Sequence, residues 1–215
     1  MRILFLFIVV VCSNLSLIAQ KRVVKSISYN SNSLEVSTLG LDEIKIENGE
    51  SDKVEVVLVA ENASKQFVIF EEEEGKLLLR FQLQRLKPES SVFRKFITER
   101  LERGSAILRV PKNTSVKISG ENCNVIVNAD LKELSLDLLN SIIRLNKTPK
   151  QASFQFYAGN LFTKMSNQSI DVESNTGTIS VDGQKRNTKS FKIVQKNAPN
   201  LRIRTIKGNI FLTSQ

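Results

Sequence analysis

Four apolar residues, Ile118, Leu136, Phe154 and Val172, follow one another at intervals of 18 residues. Each centres a short alternating segment: "SVKIS", "ELSLDL", "SFQFYA" and "SIDVES". Each is followed by a turn and a second short apolar segment, at Val125, Ile142, Leu161 and Ile179. Alternation sends successive side chains to opposite faces of an extended strand. One such unit therefore buries only a few side chains and cannot enclose a core by itself. The missing contacts must come from neighbouring units. A last unit, "IKGNIFL" around Ile210, comes 31 residues after Ile179, and the interval holds "SFKIV" and "LRIRT". Asn124, Asn140, Gly159, Gly177 and Gly208 lie between the paired segments. These residue types tolerate the left-handed backbone that a sharp corner requires.

A fixed period with two short strands per period predicts an all-β chain. The expected architecture is a single-stranded β-solenoid, or β-helix, of stacked coils of roughly 18–20 residues. A β-sandwich of hairpins is the alternative, but hairpins need not be equal in length, whereas stacked coils should be. The coils are expected over 105–215. Residues 20–86 read as N-terminal strands of the same solenoid-like domain (20–215). "EIKIE" buries Ile44 and Ile46, "KVEVVLVA" carries Val54, Val56 and Leu58 on one face, and "KRVVKSISY" alternates around Val24 and Ile27. "QFVIFEEEEGKLLLRFQLQ" reads as a hairpin that bends at Glu71–Gly75. The segment 87–104 breaks the pattern. Pro88, Glu89 and Ser90 are helix-start residues, and Val92, Phe93, Phe96, Ile97 and Leu101 recur at helical spacing. A short amphipathic helix or insertion is expected there.

The first residues read as a secretory signal peptide over 1–19, with cleavage near Ala19/Gln20. Arg2 gives a basic start, and Ile3 to Val11 form an apolar run too short for a bilayer span of roughly 20 residues. Acylation at Cys12 does not fit, because bulky Val11 precedes it. Export to the periplasm, the outer-membrane surface or the exterior is expected. Cleavage would leave Cys123 alone, with no disulfide partner, and it reads as a small buried apolar residue.

Composition excludes several chemistries. The chain has no His, so Ser-His-Asp and Cys-His catalysis and His-based zinc sites have no residues to use. No phosphate-cradling glycine motif is present. Asp171 and Glu173 lie about 7 Å apart on one strand face, within the range of inverting glycosidase pairs. They alternate with inward Ile170 and Val172, however, so a solvated outer face explains them. Neither an enzyme nor a cofactor is expected, and no metal site is expected.

The charge is uneven. The whole chain carries a net +9, and so does the stretch Ser141–Gln215, with twelve Lys or Arg against Asp171, Glu173 and Asp182. The expected binding residues are Lys189, Lys192, Arg202, Arg204 and Lys207. In "LRIRTIKGN" the two arginines share one face, opposite Leu201, Ile203 and Thr205. Nucleic acid is not expected as a partner, since Phe191 is the only aromatic residue interleaved there.

The stretch "AILRVPKNTSVKISGENCNVIVNADLKELSLDLLNS" combines a V-P-K-x-T start with repeated strand, Asn/Gly-turn and I-x-V units. It resembles the "putative adhesin" domains of exported Bacteroidetes-like proteins, β-helical domains of unknown function that are autotransporter-adhesin head-like. The resemblance covers about Ala106 to Gln215 and carries over no catalytic residue. It implies a β-helical domain of adhesin type; taken with the uneven charge, the expectation is a non-enzymatic adhesin or binding protein that presents a basic β-solenoid face to an anionic polysaccharide, a membrane surface or an envelope protein. A structural or assembly role in the envelope is the alternative.

Overall fold

The computed structural model describes residues 21–60, 63–83, 104–165 and 167–214. The expected signal peptide and most of the expected helix at 87–104 lie outside the described residues. Among those residues the chain is all-β, with one 3-10 turn, Lys65–Phe67.

The N-terminal strands are β1 (Lys21–Ser28), β2 (Ser33–Ser37), β3 (Leu41–Asn48), β4 (Lys53–Ala60), β5 (Val68–Glu73) and β6 (Lys76–Phe81). The middle of the chain forms β7 (Gly104–Val110), β8 (Ser115–Asn122), β9 (Asn124–Val127), β10 (Glu133–Leu145) and β11 (Gln151–Met165). The C-terminal strands are β12 (Ser169–Ser174), β13 (Ile179–Val181), β14 (Gln184–Lys185), β15 (Ser190–Ile193), β16 (Asn200–Thr205) and β17 (Asn209–Ser214). The expected β5–β6 hairpin forms, and Glu74 and Gly75 both take positive φ at its tip. That two-residue turn matches the right-handed twist of the flanking strands. In β1 the half-buried residues are Val23, Lys25 and Ile27, whereas Val24 faces out.

All seventeen strands belong to one sheet. The long strands β10 and β11 each serve two ladders. Their first halves run parallel to β8 and β16, and their second halves run parallel to β9 and β17. One buried row crosses the first ladder through Leu79, Val36, Ile118, Leu136, Phe154, Ile203 and Val172. A second crosses the other ladder through Val56, Leu108, Ile46, Val127, Leu145, Thr163, Leu212 and Val181. These rows form the core, and burial of each large aliphatic side chain contributes about 1.5–3 kcal/mol. The sheet curls around them into a nearly closed, barrel-like shell.

This corrects the expected β-solenoid, and the sandwich alternative with it. The strands are mixed: β1–β4, β4–β7, β5–β6, β12–β15 and β13–β14 pair antiparallel. Neighbours in space are also not neighbours in sequence. Leu136 does lie beside Phe154, but Phe154 pairs with Ile203, and Ile203 then pairs with Val172. The later strand β16 thus separates two segments that successive coils would have stacked. The physical reason is that the apolar alternation of β16 matches the same row equally well. Periodicity states which residues face inward, and it does not state which strand lies next.

Asn140 and Gly159, expected at turns, lie inside continuous strands that bend from one ladder to the other. The bend is built from small residues. Gly159 takes φ +118°, and a Cβ there would meet the Ser141 carbonyl oxygen at 2.0 Å. The Ser141 hydroxyl donates to the Cys123 carbonyl, and the Ser174 hydroxyl donates to the Gly208 carbonyl at 2.8 Å. Asn side chains complete the edge. Asn124 accepts from the Ile142 amide at 3.1 Å, and Asn209 accepts from the Thr178 amide at 3.0 Å while donating to Asn160 at 3.0 Å. Polar groups at this bend therefore find partners within the chain, as buried polar groups must.

Candidate functional site

Strand alternation puts Leu201, Ile203 and Thr205 of β16 inside, so Arg202 and Arg204 point outward. Parallel pairing with β12 places Arg202 opposite Asp171 and Arg204 opposite Glu173. On the far side of β12, Lys192 of β15 stands opposite Asp171. Lys192, Arg202 and Arg204 thus converge on one outer face across three adjacent strands. Lys189 lies just before β15 and donates its ammonium to the Gly177 carbonyl at 3.2 Å. Lys207 follows β16 and sits with Nζ 5.2 Å from the centre of the Tyr157 ring.

These cations are not equally free. The Arg204 Nη2 reaches both carboxylate oxygens of Asp171 at 3.0 Å, and its Nε lies 3.3 Å from Glu173. Its Nη1 donates to the Asp171 carbonyl at 3.1 Å. The Arg204 guanidinium beside Asp171 holds that carboxyl below the usual carboxylate range, with Lys192 and Arg202 adding to the effect. Arg202 lies 3.9 Å from Asp171 and keeps 59% of its side chain exposed. Asp171 and Glu173 are therefore ion-pair partners of the arginines. The sequence shows these acids two residues apart and cannot show that a strand more than thirty residues later lies alongside.

Adjoining this face, and sharing Glu173 and Arg204 with it, runs a groove of about 420 Å³. It crosses β10, β11, β16 and β12, and its walls include Asp137, Gln155, Glu173 and Arg204. Leu139, Tyr157 and Ile206 also line it, and each is at least two-fifths exposed. The sequence carries a faint signal of this groove. The doublets Leu138–Leu139, Phe156–Tyr157 and Thr205–Ile206 break strict alternation. When the first member of each doublet turns inward, the second must face water.

Cys123 is buried, and its thiol is pushed up to about 12, chiefly by burial. Among the described residues, no group of three or more His, Cys, Asp or Glu side chains could hold a metal ion.

No protein-family model and no curated protein sequence matches the chain. Its fold is similar to that of the "putative cell adhesion protein" of Clostridium sporogenes, over 91% of this chain and 100% of that one. The TM-score is 0.58 and the sequence identity 12%, so the likeness is one of fold. A "putative adhesin" of Parabacteroides distasonis aligns over 89% of this chain and 67% of its own, with a TM-score of 0.43 and 14% identity. A "putative adhesin" of Bacteroides fragilis aligns over 92% and 98%, with a TM-score of 0.34 and 10% identity.

Proposed function

We propose that this chain is an exported, non-enzymatic binding protein that presents the outer face of β12, β15 and β16 to an anionic polymer or envelope surface. The observation that carries this reading is the placement of Lys192 on β15 and Arg202 on β16, on either side of β12 and both opposite Asp171, with Arg204 held beside them in its ion pairs. Lys189 and Lys207 flank them in sequence. Asp171 and Glu173 offset part of this charge, yet the stretch Ser141–Gln215 keeps its net +9. A hydrogen-bonded sheet holds the Cα atoms of these residues at fixed spacing, so no backbone ordering is needed on binding. The signal-like first residues and the fold shared with a protein named for cell adhesion support the same reading.

The test is binding to anionic and to neutral lipid vesicles, and to a polyuronate, at low and high salt. Binding to the anionic probes should weaken steeply with salt, since charges separated by more than a Debye length are screened. The double variant Lys192→Gln/Arg202→Gln should weaken it further at low salt. Equal binding to neutral vesicles, or binding indifferent to salt, would overturn the reading.

A further inference from the structure

We infer that the groove at the bend between the two ladders is a saccharide-binding site, with Tyr157 as its platform. This goes beyond the basic face and does not depend on it. The lining has the mixed character that a sugar ring requires. Leu139, Tyr157 and Ile206 supply exposed apolar surface, and Asp137, Gln155 and Asn175 stand among them. The side chains of those three polar residues have no hydrogen-bond partner among the described residues. They offer carboxylate and amide groups to hydroxyls.

A pyranose presents one face of C–H bonds and a rim of hydroxyls. The C–H face carries partial positive charge and suits the negative face of an aromatic ring. The hydroxyl rim needs donors and acceptors in the same plane as the apolar platform. A groove of about 420 Å³ lies within the usual range of small-molecule sites. Tyr157 is also held in place. Its carbonyl accepts from the Lys207 amide at 2.7 Å, and the Lys207 ammonium packs over the ring without itself lining the groove. Arg204 is fixed by Asp171 and Glu173, so the groove's cationic wall is already neutralised. That favours a neutral sugar over an anionic one.

The protein has no Trp and only two Tyr. The other, Tyr29, has its hydroxyl buried. Tyrosine emission therefore comes from these two residues alone, and a Tyr29→Phe background isolates the signal of Tyr157. The experiment is a titration with neutral gluco-, manno-, xylo- and chito-oligosaccharides, read by tyrosine emission and by calorimetry. At least one should bind saturably in the millimolar range or tighter, with affinity unchanged between low and high salt. Tyr157→Ala should weaken it at least about tenfold. The exposed Gln155→Ala should weaken it by a smaller factor with thermal stability unchanged, which covers the case of a poorly folded Tyr157 variant. Absence of saturable binding across the panel would overturn the inference. So would binding that survives both substitutions, or binding abolished by salt. Lys192→Gln/Arg202→Gln should leave this affinity unchanged, which keeps failure here distinct from failure of the basic-face reading.

Discussion

Arg204 grips Asp171 through both carboxylate oxygens, at 3.0 Å each, across the boundary between β16 and β12. The contact joins two residues thirty-three positions apart in the chain. It also has a sign. A carboxyl whose folded-state pKa is depressed adds stability above its unfolded pKa, and that stability is lost as pH falls through the folded value. Asp171→Asn should therefore flatten the acid limb of thermal stability below about pH 4. At neutral pH the change should not exceed about 1 kcal/mol, because the pair is partly solvated. Melting temperature against pH, for wild type and variant, checks this. Identical acid limbs would show that the pair adds nothing.

The bend depends on absent side chains. Gly159→Ala would press a Cβ against the Ser141 carbonyl in a left-handed backbone and should cost about 3 kcal/mol or more. Gly208→Ala would meet the Phe156 ring at 2.1 Å and should cost a similar amount. Gly183 is the control. Its φ is +78°, but nothing lies within 4 Å of the added methyl, so only about 1 kcal/mol of backbone strain is expected. Denaturant unfolding should show Gly159→Ala and Gly208→Ala both clearly less stable than Gly183→Ala.

Strand order is testable by cross-linking. Ser153 and Arg202 are paired outward residues on β11 and β16, and Arg202 in turn pairs with Asp171 on β12. Adjacent strands lie about 4.8 Å apart, so two steps exceed the roughly 7 Å limit for a disulfide. Ser153→Cys/Arg202→Cys should oxidise to a cross-link, whereas Ser153→Cys/Asp171→Cys should not. The reverse pattern would restore sequential stacking of β11 on β12.

Cys123 should be inert in the folded protein. A buried thiol pushed up to about 12 holds almost no thiolate at neutral pH, and the thiolate is the reactive form. Alkylation mapped to Cys123 by mass spectrometry should be slow under native conditions and fast in denaturant. Rapid native labelling would show that the residue opens to solvent.

Some of this protein was legible from local pattern alone. The strands at Ile44, Val56, Ile118, Leu136 and Phe154 follow from alternation, and so does the outward direction of Arg202 and Arg204. The Glu74–Gly75 hairpin follows from turn chemistry. All of these depend on forces that act between a residue and its near neighbours in sequence, or between a side chain and water. What tertiary structure decided was adjacency. Ile203 fits between Phe154 and Val172 because all three present similar apolar bulk to the same row, and nothing in a periodicity of 18 distinguishes that order from direct stacking. Adjacency then set the chemistry of the surface. It turned Asp171 and Glu173 into partners of Arg204, and it gathered Leu139, Tyr157 and Ile206, residues from three different strands or their ends, into one groove.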